Sequence, residues 1–159
     1  MVEQAAEELR RDTQRGSPGA TEGKRVDRHD ALPSALEKGN LNAVKHYLDS
    51  GGDPNATVDG NSLPLHKVIR YGHADIAALL VRRGADVNGR DAWGCTPLHY
   101  AVVSQGPGGR CLPDIALLLL EEGGDPNARS NDGWSPLMSA LDNGQQEMAA
   151  LLRQHGAHE

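Results

Sequence analysis

In the segment "DAWGCTPLHYA", residues 91–101, a thiol, a hydroxyl and an imidazole fall within five positions, at Cys95, Thr96 and His99. These are the groups from which a nucleophile and its general base are made. Such a pair needs its base held by a third group and oxyanion donors beside it. His66 stands 33 residues before His99, but the position matching Cys95 is Ser62. An imidazole that recurs at a fixed period without its thiol predicts a structural role. Zinc is the other chemistry these side chains suggest. The histidines (His29, His46, His66, His73, His99, His155 and His158) and the cysteines Cys95 and Cys111 show neither C-x2-C nor H-x3-H spacing, the pattern of structural zinc sites. Gly156, which should end a helix, separates His155 from His158. The residues thus predict no catalytic group, no metal and no cofactor. A thiol-reactive or metal-binding protein is the outside alternative.

The elements that position these side chains follow a period. The turn strings "GGDPNA" (51–56), "GADVNG" (84–89) and "GGDPNA" (123–128) are near copies, and Asn55, Asn88 and Asn127 lie 33 and then 39 residues apart. "LPLH" (63–66), "TPLH" (96–99) and "SPLM" (135–138) recur in step, with Pro64, Pro97 and Pro136 at the same separations. A unit of 33 residues therefore occurs four times, and its third copy is six residues longer. The units fall at about 28–57, 58–90, 91–129 and 130–158, after a segment 1–27. Each predicts two short helices and a turn. Pro97 suits a first helical turn and Thr96 can cap it; Gly39, Gly72 and Gly144 end the first helix. The second helix buries Ile76, Leu79 and Leu80, then Ile115, Leu118 and Leu119, then Met148, Leu151 and Leu152. Gly84, Gly123 and Gly156 close it in the left-handed conformation.

Composition fits many small contacts between like elements. The 159 residues suffice for one domain; Phe is absent, aromatics are 3 %, and 19 Gly and nine Pro are spread along the chain. A net charge of -6 with no basic run longer than Arg10-Arg11 or Arg82-Arg83 argues against a nucleic-acid partner, since phosphate binding needs clustered Lys and Arg. Two cysteines without a framework of bridges point to a reducing compartment. "MVEQAAEELRR" lacks the apolar stretch of a signal peptide. The longest apolar run, Ile115 to Leu120, falls far short of the ~20 residues that span a bilayer. The expectation is a soluble chain with no membrane partner, in the cytoplasm or also the nucleus.

The G-A-D-V-N and T-P-L-H strings at this period resemble the ankyrin repeat over residues 28–158. The resemblance implies an all-α repeat solenoid of stacked helix pairs, with β-hairpin fingers along one edge. It also implies a structural T-P-L-H histidine that bridges the threonine and the neighbouring turn. His99 would then pair with Thr96, while His66, with Leu63 in front of it, would have backbone partners alone. Ala43, His46 and Tyr47 replace the usual aliphatics in the first unit, as a solvent-facing end repeat does.

Without chemistry, function must lie on the surface. The resemblance places partners on finger tips and on the exposed side of each first helix. By period these are Asp59, Gly60 and Ser62, then Ala92, Trp93 and Cys95, then Asn131, Asp132 and Trp134. The helices add Glu37 and Lys38, Arg70 and Tyr71, Val103 and Ser104, and Asp142 and Asn143. Three of the five aromatic residues, Tyr71, Trp93 and Trp134, fall in this set, and Tyr, Trp and Arg are the residues enriched at binding hot spots. The competing reading has both tryptophans lying against adjacent fingers and stiffening them. The expected function is that of a monomeric, non-catalytic protein-binding module (adaptor, assembly factor or stoichiometric regulator) whose partner offers a neutral to mildly basic segment. The alternative is an inhibitor of a kinase-type enzyme, since the size and four-repeat layout resemble the family's small inhibitors. The insertion "QGPGGRCL" (105–112) predicts an exposed loop, neutral or a contact in its own right. Residues 1–27 predict a short helix and a flexible tether.

Overall fold

The computed structural model describes residues 32–103 and 112–159. The 1–27 segment, residues 28–31 with His29, Ser104, and the insertion from Gln105 to Cys111 lie outside the described residues.

Among the described residues eight helices form four pairs: α1 (residues 32–38) with α2 (Leu41–Asp49), α3 (Pro64–Arg70) with α4 (Ala74–Arg82), α5 (Pro97–Val103) with α6 (Pro113–Glu121), and α7 (Pro136–Asp142) with α8 (Gln146–Gln154). Pro64, Pro97 and Pro136 each open a first helix, where the missing N–H leaves no bond unmade. Beyond the pairs, α3 packs on α5 and α5 on α7, while α4 packs on α2 and α6, and α6 on α8. Among the described residues the main helix contacts thus join sequence neighbours, and one row of first helices lies beside one row of second helices. This is an all-helical repeat solenoid.

The core is a strip of Leu, Val, Ile and Ala running through all four units. Its register in the second helices departs from the expected stripe. Ile76, Ala77 and Leu80 are buried in α4, Ile115, Ala116 and Leu119 in α6, and Met148, Ala149 and Leu152 in α8. Leu79, Leu118 and Leu151 are only half-buried. The position after each Ile or Met is a fully buried alanine, so the enclosed stripe of the second helix runs through the alanine instead of the leucine two residues on. In α2 only Val44 and Leu48 are buried. Ala43 and His46 face solvent and Tyr47 folds over Gly52, where an added Cβ would lie 2.4 Å from the ring.

Two hydrogen-bonded devices hold the row. Gly84, at φ +89°, ends α4, and Ala85 N–H returns to the Leu80 carbonyl (2.9 Å), the reversal a glycine makes at least cost. Each turn asparagine then joins two units. Asn55 Nδ2 donates to the Gly84 carbonyl (3.1 Å) while its Oδ1 accepts from Asp86 N–H (2.7 Å). Asn88 makes the same pair with Gly123 and Asp125 (3.0 and 2.7 Å), and Asn127 with Gly156 and His158 (3.0 and 3.0 Å).

The insertion leaves this frame in place. Leu112 N–H bonds to the Ala101 carbonyl (2.9 Å), as His73 N–H does to Val68 (2.9 Å) and Gln145 N–H to Ala140 (2.8 Å). Eleven positions separate the first pair and five the others, so the six extra residues fall between two positions that keep the bond of the other units. Leu112, counted with the insertion on composition, is half-buried against the core.

The expected β-hairpin fingers are tight turns. Among the described residues the only bridge is Val58 to Ser62. In the second and third fingers Asp91 N–H bonds to the Cys95 carbonyl (3.1 Å) and Ser130 N–H to the Trp134 carbonyl (2.9 Å). Five residues leave no room for a longer ladder.

Candidate functional site

The His99 imidazole and the Cys95 backbone are committed to the frame. Thr96 N–H donates to His99 Nδ1 (3.1 Å), Thr96 Oγ1 lies 2.9 Å from the same nitrogen, and His99 Nε2 lies 2.9 Å from the Trp134 carbonyl. A backbone N–H can only donate and a carbonyl can only accept. The ring is therefore neutral, with its proton on Nε2. Burial holds its pKa below the ordinary imidazole value, more than the Trp134 carbonyl raises it. His66 repeats the arrangement. Leu63 N–H donates to its Nδ1 (3.3 Å) and its Nε2 faces the Cys95 carbonyl (3.0 Å), and burial again lowers its pKa. Each imidazole thus ties its own helix to the end of the next finger.

Cys95 is half-buried, and burial, then the charges of Asp91 and Asp132, raise its pKa. A thiol kept protonated, beside an imidazole with both nitrogens engaged, is not a nucleophile–base pair. Among the described residues no three His, Cys, Asp or Glu side chains gather as a metal site.

The fingers are braced from within. Asp91 is buried, and its Oδ1 accepts from Trp93 N–H and Cys95 N–H (2.9 Å each) while Oδ2 accepts from the Tyr100 hydroxyl (2.5 Å). Burial, then this bond, raises the Tyr100 phenol well above its ordinary range. Asn131 stitches finger to finger: its N–H bonds to the Trp93 carbonyl (2.9 Å) and its Nδ2 to the Ala92 carbonyl (3.1 Å). Gly94 is where the two meet, at φ +72°, with Asn131 Oδ1 2.4 Å from where a Cβ would stand.

All eleven residues singled out as a binding surface (Asp59, Arg70, Tyr71, Ala92, Trp93, Val103, Asn131, Asp132, Trp134, Asp142 and Asn143) are exposed. Four of them come together. Asp59, Arg70, Tyr71 and Trp93, with Glu37 and Ser62, rim a cleft of about 200 Å³ whose other lining residues are His66, Lys67 and Tyr100. Trp93 is 60 % exposed, so its indole is available to a ligand rather than folded away. Tyr71 stacks near His73 (6.4 Å, 23°) and His66 meets Tyr100 edge-on (5.3 Å, 75°). Val103, Asp132, Trp134 and Asp142 lie outside the cleft. Ala92 and Asn131 serve the finger brace, and Asn143 Nδ2 closes the end of α7 on the Ser139 carbonyl (2.7 Å).

Three residues of the site were missed by sequence reasoning. Lys67 is 8 % exposed, and its ammonium pairs with Glu37 (2.7 Å) and with Asp59. It stands three positions before Arg70, one helical turn along the same face, which was the available signal. Tyr100 holds the equivalent place before Val103. Asp91 had no signal, because a buried finger carboxylate reads like any turn aspartate.

Family models agree with the period. One described as ankyrin repeats in three copies matches residues 32–130, and one described as an ankyrin repeat matches residues 132–158. An ankyrin repeat-containing protein of Schizosaccharomyces pombe is 44 % identical over 64 residues, 40 % of this chain and 31 % of that protein. The 2-5A-dependent ribonuclease of Mus musculus is 36 % identical over 92 residues, 57 % of this chain and 12 % of the relative. A potassium channel of Oryza sativa is 42 % identical over 67 residues, 42 % of this chain and 8 % of the channel. The matched stretches span less than a third of these relatives' lengths. Among the described residues no helix is long and apolar enough to cross a membrane.

Proposed function

This chain belongs to the ankyrin-repeat family, and we propose from that premise that it works by holding another protein along its fingers and first helices, without chemistry of its own. Ankyrin repeats are protein-interaction modules. Relatives as different as a ribonuclease and a channel match over this kind of segment, so the likeness speaks to a binding frame and not to one partner. The finer role is that of a monomeric adaptor, assembly factor or stoichiometric regulator.

The observation that carries this reading is the cleft, which the exposed Trp93 and Tyr71 both line on a hydrogen-bonded frame. A surface fixed before contact loses little conformational freedom on docking, and a large aromatic group held in water is a candidate anchor. The test is quantitative affinity capture with the whole chain beside a Trp93→Ala/Tyr71→Ala double variant. The expected outcome is loss of the captured protein with the melting temperature within about 2 °C of wild type, since exposed side chains add little to stability. A parallel fall in melting temperature would assign the two rings to stiffening.

A further inference from the structure

We infer that the cleft takes a cationic side chain, and that its occupant is a basic, arginine-bearing extended segment of the partner protein. The inference rests on the protein-binding reading above and adds the chemistry of what is bound. It starts from a charge count. One ammonium, Lys67 Nζ, lies between two carboxylates, Glu37 and Asp59, so the triad keeps one negative charge. That charge faces outward: the Lys67 side chain is 9 % exposed, against 45 % for Glu37 and 54 % for Asp59. Arg70 adds a positive charge to the rim and the buried Asp91 a negative one behind Tyr100. The four charges that line the cleft, Glu37 and Asp59 against Lys67 and Arg70, sum to zero, and the buried Asp91 behind them tips the surroundings to one net negative charge, in a chain of net charge -6.

The second observation is the wall. The Trp93 indole, 60 % exposed, lines the same cleft, and a cation is held best over the face of such a ring. A guanidinium suits both features, because its plane can stack on the indole while its edge pairs with a carboxylate. An ammonium could serve the charge but not the stacking. A purely apolar occupant would strip water from Glu37 and Asp59 without replacing the lost bonds, which is unfavourable. An acidic occupant would meet Arg70 but also the more exposed carboxylates of Glu37 and Asp59 and the negative charge of Asp91 behind them.

The test pans the full chain against a displayed library of random linear peptides about twelve residues long, with Trp93→Ala as the counter-selection. Peptides that need Trp93 are expected to share an arginine in fixed register with a bulky apolar residue. A synthetic peptide of that consensus should bind about tenfold more weakly when its arginine is changed to glutamine, and about tenfold more weakly to Asp59→Asn. Asparagine keeps the left-handed backbone of position 59 (φ +46°), Glu37 still pairs with Lys67, and the peptide-side change leaves the protein untouched. Binding should also weaken from ~0.05 to ~0.5 M NaCl, as exposed ion pairs do. An acidic or uncharged consensus, or indifference to both charge removals, would overturn the inference while leaving the protein-binding reading standing. Enrichment of no Trp93-dependent peptide, or occupation of the cleft by a second copy of this chain on sedimentation, would overturn both.

Discussion

At the scale of single residues, the neutral state of His66 and His99 ties stability to pH. Each ring accepts a backbone N–H at Nδ1 and reaches a carbonyl through Nε2, and burial depresses both pKa values from 6.5. In the unfolded chain the same rings take up a proton near 6.5. Below that pH the unfolded state therefore binds more protons than the folded one, and stability falls as pH drops toward the lower folded values. Melting at pH 7.5 and 5.5 should show the loss, and His99→Ala should reduce it. At neutral pH that variant should cost about 1–3 kcal/mol, because the Thr96 N–H and the Trp134 carbonyl lose their partner. An unchanged pH slope in His99→Ala would mean that other groups set the acid limit. The structural role of His99 was legible in the sequence because His66 repeats it without a cysteine. Asp91 was not, since nothing local marks a carboxylate that closes a finger from inside.

At the scale of elements, what matters is how the units are joined. Asn88→Ala removes both bonds from the second turn to Gly123 and Asp125 and should lower unfolding free energy by about 1–2 kcal/mol. Urea titration checks the size, and faster amide exchange confined to residues 123–125 and the adjoining turn checks the place. The insertion should behave in the opposite way. Cutting residues 104–111 to Ser104 and one glycine restores the five-residue step from Ala101 to Leu112 seen at Val68–His73. A shorter closed loop changes closure entropy by only about 0.6 kcal/mol, so the melting temperature should hold or rise slightly. A large drop would show that the extra residues carry weight in the frame. The period made helix number and breaks readable. It did not reveal that Ala77, Ala116 and Ala149 are fully buried while Leu79, Leu118 and Leu151 are only half-buried, because a hydropathy stripe ranks leucine above alanine.

At the scale of the molecule, a row of units that touch only their neighbours has ends weaker than its middle. The first unit is the lighter end among the described residues: α2 buries Val44 and Leu48, whereas α4 and α6 each bury an Ile-Ala-Leu set. Its amides should exchange faster than those of α5 and α6, with opening free energies below the global value. That end also holds Glu37, whereas Asp59 stands on the first finger at the start of the second unit and Trp93 on the second finger beyond α3. A ligand in the cleft therefore spans a weak unit and a strong one, and it can bind only when the weak unit is closed. Binding must then hold α1 and α2 down by RT ln(1 + [L]/Kd), about 2.7 kcal/mol at a ligand concentration of ~100 Kd, or roughly a hundredfold slower exchange. Hydrogen exchange by mass spectrometry, with and without a Trp93-dependent peptide, should show this slowing in residues 32–50 and little change in α7 and α8. Slowing spread evenly over all four units would mean that the solenoid opens as one body and that the cleft does not bridge two stabilities.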